Sequence, residues 1–223
     1  SPDGRWPYKV KYPVSISPPK DSKTTYSSVV HEERIFKKAL DEQTAVKACA
    51  EFMQEKVKSD KPYFYLSVHP NSSINVDGIK SIINTWIVED GWMPDVVVID
   101  YADILAPPIG VKETRDQINT TWKHLRRLSQ ELHCLVVTAT QADANSYECT
   151  TMGRKNFSED HRKFAHVTGT IGINVTTTEK EHGLSRLNFI VLREGEFSSL
   201  RCCHVAGCLA LSHPTVKSAS DLR

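Results

Sequence analysis

Three polar residues each close an apolar run: Asp100 after Val96–Ile99, Gln141 after the run that starts at Cys134, and Arg193 after Phe189–Leu192. If those runs are strands of an open α/β sheet, all three residues stand at the carboxyl ends, where such sheets bind ligands. An aspartate in that position can hold a hydrated magnesium ion beside nucleotide phosphates. It can equally cap the turn that follows, and taken alone it does not choose between these roles. Gln141, just beyond the neighbouring strand end, shifts the balance. Its amide could sense a terminal phosphate or orient water, where otherwise it would only hydrogen-bond the loop it enters.

The elements that must position these residues follow from periodicity. Four successive apolar residues at 96–99, three of them valine, suit a buried strand covered on both faces. A long helix is expected over 112–132, with Ile118, Trp122, Leu125, Leu128 and Leu132 as its buried stripe. Residues 134–140 then read as the next strand, 142–157 as a polar loop, and 158–167 as a short helix. Further strands are expected at 170–175, 185–193 and 199–205. Upstream, the spacing predicts helices over 29–40 and 44–58, a strand over 63–68, and a helix over 76–88 with Asn75 as its N-cap. Strands alternating with helices imply an α/β fold with a mainly parallel sheet flanked by helices, and antiparallel strands added near the C-terminus. The organisation expected is a loop or tether at 1–28, holding at most a short edge strand around Lys9–Ile16, a core at 29–212, and a frayed tail at 213–223.

The 223 residues carry 28 Lys and Arg against 27 Asp and Glu, a net charge of +1. That argues against a uniformly basic nucleic-acid coat, though a local basic channel fits it. No apolar run approaches the roughly 20 residues that span a bilayer. The six cysteines are irregularly spaced and do not form a secreted disulfide framework, so a reducing, cytoplasmic setting is expected. Cys202, Cys203, His204, Cys208 and His213 could supply soft metal ligands. Adjacent cysteines on a strand point to opposite faces, however, and no CxxC pairs exist, so an ordinary terminal strand is the favoured reading. The remaining histidines form no HxxxH-like helical pair, and no catalytic metal cage is inferred.

Val96 through Leu105, an apolar run followed by Asp-Tyr, two residues and an apolar pair, resembles the Walker B segment of DnaB-like replicative helicases, which are RecA-fold ATPases. The stretch from Trp122 to Gln141 is similar to that family's helix and strand leading into its sensor glutamine. Phe157–Asn174 resembles the later helix and strand, and Phe189–Gly195 the strand that ends in an arginine. Glu159-Asp-His-Arg-Lys163 together with Asn174-Val-Thr176 is similar to the RecA-fold ATPases carried by bacteriophages. The resemblance implies ATP and magnesium as cofactors, Asp100 as the magnesium acid and Gln141 as the sensor. It implies Arg193 as an arginine finger acting on a neighbouring subunit's nucleotide, and so a homo-oligomeric ring or filament. Asp103 is expected near the site without being a ligand. Arg154 and Lys155 lie in the loop after the sensor, where such motors contact single-stranded DNA; charged loop residues are otherwise simply solvated.

The chain departs from that pattern in one large respect: it holds no G-x-x-x-x-G-K-[ST] phosphate loop. No residue in 1–28 stands out as the family's catalytic glutamate, and Val191 occupies a position that is usually lysine. The start, Ser1-Pro-Asp-Gly-Arg5, reads as an interior cut, so the phosphate loop is expected upstream and the chain alone is expected to be inactive. The competing expectation is a degenerate, non-hydrolysing RecA-like interaction module. KaiC- or RadA-like recombination ATPases share the same core and are the alternative to a helicase.

Overall fold

The computed structural model describes residues 4–17, 28–56, 62–142, 146, 151–157, 161–199, 202–208 and 213–220. Part of the expected tether, most of the 142–157 loop and the first turn of the expected 158–167 helix lie outside these residues. The chain divides into two compact units. The first comprises Ser1–Tyr65, Ile173–Asn188 and Leu200–Arg223, and the second Leu66–Gly172 with Phe189–Ser199.

In the first unit, β1 (Tyr8–Ser17) pairs antiparallel with β2 (Ser28–Phe36). Both elements correct the expectations of a largely unstructured tether and of a helix over 29–40. The 29–40 stretch carries apolar residues at helical spacing, but its charges find partners across a strand pair. Lys9 Nζ lies 2.6 Å from Glu33 Oε2, and Tyr12 donates to Glu32 at 3.3 Å. The register shifts between Pro13 and Ser15, so Val10, Pro13 and Ile16 are all buried despite their three-residue spacing.

Helix α1 (Glu42–Lys56) lies close to its expected span and is capped by Asp41, whose carboxylate accepts from the Thr44 amide at 2.9 Å and from its hydroxyl at 2.7 Å. Its apolar residues are not buried, however: Val46 is 62% and Met53 51% exposed.

β5 (Gly169–Asn174) and β6 (Leu184–Leu192) are each divided between the units, and in sheet order they precede β7 (Cys202–Cys208) and β8 (His213–Ser220). β8 stands where a frayed tail was expected. β6–β7 and β7–β8 are antiparallel. Between β5 and β6 the short helix α4 (Thr177–Glu181) starts with a capping box: Thr176 Oγ1 accepts from Glu179 N at 3.2 Å, and Glu179 Oε2 accepts from Thr176 N at 2.8 Å. Gly183 then turns the chain at φ +70°, where an added Cβ would sit 3.1 Å from both the Gly207 carbonyl and Pro13.

In the second unit, α2 (Val76–Asp90) begins at the expected cap, with the Gly78 amide donating to Asn75 Oδ1 at 2.9 Å. β3 (Val96–Ile99) and β4 (Leu135–Thr138) form a parallel pair joined by α3 (Thr114–Leu132). The core consists of Val76, Ile83, Trp122, Leu125, Leu128 and Leu132, with Val97, Ile99 and Val136 packed on it. Only that face of the pair is covered. Val96, Val98, Leu135 and Val137, paired in register on the opposite face, are 48%, 72%, 56% and 43% exposed. The expectation of a strand buried on both faces is therefore corrected. Residues 63–68 are likewise no strand, and Phe64, Leu66 and Val68 are exposed; β propensity without a ladder partner does not make a strand. The fold is mixed α/β, with a parallel portion smaller than expected.

Candidate functional site

The ends of β3 and β4 are stitched together by polar groups. Thr138 Oγ1 donates to the Ile99 carbonyl at 2.9 Å, and Ala102 N donates to the Ala139 carbonyl at 3.4 Å. Beyond them, Gln141 Nε2 donates to the Tyr101 hydroxyl at 3.0 Å. The parallel register, which sets Ile99 beside Thr138, is what delivers Asp100 and Gln141 to the same edge.

Asp103 is the polar centre of this edge. It sits in a 3-10 turn (Ala102–Ile104), and its Oδ2 accepts the Thr140 hydroxyl at 2.6 Å and the Gln141 backbone amide at 3.2 Å. Thr140 and Tyr101 are the residues that sequence reasoning missed as members of the cluster. Thr140 adjoins the sensor and Tyr101 the acid, so adjacency alone was the available signal.

Asp100 differs from Asp103. It is exposed, and among the described residues its carboxylate has no hydrogen bond or ion pair. Magnesium keeps several of its waters and binds through one or two carboxylates plus substrate phosphates. One open carboxylate at a strand end fits that mode, whereas Asp103 is already committed to Thr140 and Gln141. Among the described residues no group of three or more His, Cys, Asp or Glu is placed to enclose a metal by itself. At the tail, Cys202 is buried and Cys203 half-buried on β7.

Arg193 follows β6 in the second unit. Its Nε donates to the Val167 carbonyl at 2.8 Å, its guanidinium also reaches the Ala165 carbonyl, and its backbone amide donates to Thr168 O at 2.9 Å. A guanidinium has five N–H donors, so this grip leaves it capacity for a further acceptor. Arg154 and Lys155 are exposed on a 3-10 turn (Arg154–Asn156), which is pinned where Asn156 Oδ1 accepts from the Gly153 amide at 2.9 Å. Burial raises the Cys134 thiol above its ordinary pKa, which makes it a poor nucleophile. Among the described residues no helix is long and apolar enough to cross a membrane.

No protein-family model and no curated protein matches the chain. Solved structures do. One of them, a phosphohydrolase module titled simply as an ATPase domain, superposes with a TM-score of 0.50 at 15% identity, covering 60% of this chain and 47% of that one. A DnaB-like replicative helicase, solved with attention to its interactions with primase, superposes with a TM-score of 0.51 at 14% identity, covering 60% of this chain and 34% of that one. The chain thus spans less than half the length of the structures it matches, and over 60% of its own residues it shares the fold of DnaB-like helicase ATPase domains.

Proposed function

We propose that this chain carries the metal-acid and sensor portion of an ATP-driven DNA motor of the replicative-helicase type. The observation that carries the reading is the open Asp100 carboxylate beside a cross-linked strand edge that presents Gln141. In this reading Asp100 holds magnesium through water, and the ion when bound neutralises phosphate charge. Gln141, steadied by Tyr101 and Asp103, presents its amide to the terminal phosphate or to water. Arg193 faces the nucleotide of a neighbouring copy in a ring or filament. Arg154 and Lys155 contact single-stranded DNA. Asp103 acts by holding the edge in shape.

The phosphate-gripping loop is absent from these 223 residues, and the bare face of β3–β4 bears on where it comes from. Parallel sheets are covered on both faces. Four adjacent aliphatic side chains left open on one face support the idea that further polypeptide, in the same protein or a partner, packs there and supplies the loop.

ATP turnover tests this division of the site. The isolated chain is expected to hydrolyse none. Turnover by the isolated chain that disappears in Asp100→Ala would show instead that the site is complete within it. DNA binding provides a second check: Arg154→Ala and Lys155→Ala should weaken single-strand binding and flatten its salt dependence, and unchanged binding removes the DNA assignment.

A further inference from the structure

One turn, residues 161–167, touches both the sensor strand end and Arg193. Its Lys163 is only 6% exposed. Lys163 Nζ lies 2.7 Å from Thr140 Oγ1 and 5.2 Å from the centre of the Phe157 ring, within cation–π range. Because Thr140 gives its hydroxyl hydrogen to Asp103, its oxygen is open to accept from the ammonium. The same Asp103 oxygen receives the Gln141 amide. Ammonium, hydroxyl, carboxylate and sensor amide therefore form one continuous chain of hydrogen bonds.

The far end of the turn is held by Arg193, through the carbonyls of Ala165 and Val167. Its body is fastened to α3, with Arg162 3.0 Å from Asp116 and His166 2.9 Å from Asn119. The turn is thus a braced piece with one polar contact on each strand end. Burying an ammonium is unfavourable unless its hydrogens are used, and an apolar side chain would fill the same space at less cost. Packing alone does not explain a lysine here.

We infer that the 161–167 turn couples the two strand ends, with Lys163 as the positioning residue for Gln141 and Arg193 as the grip on the other side. Displacing Arg193 shifts the carbonyls it holds, and the shift passes through Lys163 and Thr140 to the Gln141 amide. In the proposed motor, this links the sensor of one subunit to the arginine that the same subunit offers its neighbour. That purpose rests on the nucleotide-site reading, whereas the coupling itself is a property of the chain without nucleotide.

Residue-resolved amide hydrogen exchange on the full chain tests it, with α3 amides reporting whether each variant is folded. Arg193→Gln should speed exchange at Gln141 by roughly fivefold or more, the lower end of ordinary coupling between sites. In a Lys163→Met or Thr140→Val background the same change should add nothing, and Thr140→Ser, which keeps the hydroxyl, should preserve the effect. If Lys163→Met does not fold, Thr140→Val carries the comparison. An unchanged Gln141 in Arg193→Gln, or an equal increase in the Thr140→Val background, overturns the coupling. Adding manganese with ADP separates the two ideas. Coupling without any nucleotide response at Gln141 sinks the nucleotide reading alone, and a nucleotide response without coupling sinks this inference alone.

Discussion

Two carboxylates, one in each unit, are used in opposite ways. In the first unit Glu179 is 1% exposed and pairs with the equally buried Arg186, whose Nε lies 2.5 Å from Glu179 Oε1. Burial pushes this carboxyl up, but the bonds from Arg186 and Thr176 outweigh it and hold the group below its ordinary value. Asn174 and Asn188 extend this polar interior, joined by a 2.8 Å bond. In the second unit the interior is aliphatic, and Asp100 stands exposed at the end of β3 with no partner among the described residues. A buried, fully partnered charge is architecture. An open one at a strand end is available to a ligand.

The largest expected effect probes the first carboxylate. Glu179→Gln should destabilise by about 3–5 kcal/mol, because it leaves the Arg186 charge buried without its counter-ion. The sign with pH follows from the lowered pKa. The stabilisation is fully present above the ordinary carboxyl value of 4.5 and is lost as pH falls from there through the lowered value. Urea melts at neutral and acid pH should therefore show an acid loss in the wild type that is reduced in Glu179→Gln, and equal losses would contradict the role given to this pair.

Leu128→Ala, in the aliphatic core of the second unit, should cost roughly 2–5 kcal/mol by leaving a cavity at a residue 1% exposed. The α2 cap is smaller: Asn75→Ala should lower stability by about 1 kcal/mol in the same melts. Smallest is Val98→Thr on the bare face, expected within about 0.5 kcal/mol of wild type. A loss there comparable to that of Leu128→Ala would mean that the face is covered in the isolated chain.

The contrast between units also marks what the sequence could reveal. In the second unit local pattern and tertiary packing agree. The stripe from Ile118 to Leu132 became α3, Asn75 became a cap, and the Val-rich run became β3. In the first unit they conflict. The charges of β2 make sense only opposite Lys9 and Tyr12, some twenty residues away, and periodicity within one window cannot see such a pairing. The capping box at Thr176 and Glu179 was a readable start for α4 that hydrophobic periodicity passed over. At the candidate site, Asp100 and Gln141 were legible because strand ends punctuate apolar runs. The Tyr101, Thr140 and Lys163 contacts were not, since they depend on register and on a turn that returns from more than twenty residues downstream.

Everything proposed for the nucleotide site depends on Asp100 being an open acid for a nucleotide-bound metal. Paramagnetic broadening of amide resonances by manganese with ADP reads this out on the full chain. Broadening should centre on Asp100–Asp103 and Thr140–Gln141, and it should vanish in Asp100→Asn while α3 resonances stay in place. Broadening that persists in Asp100→Asn, or that falls elsewhere on the chain, would overturn the assignment of Asp100.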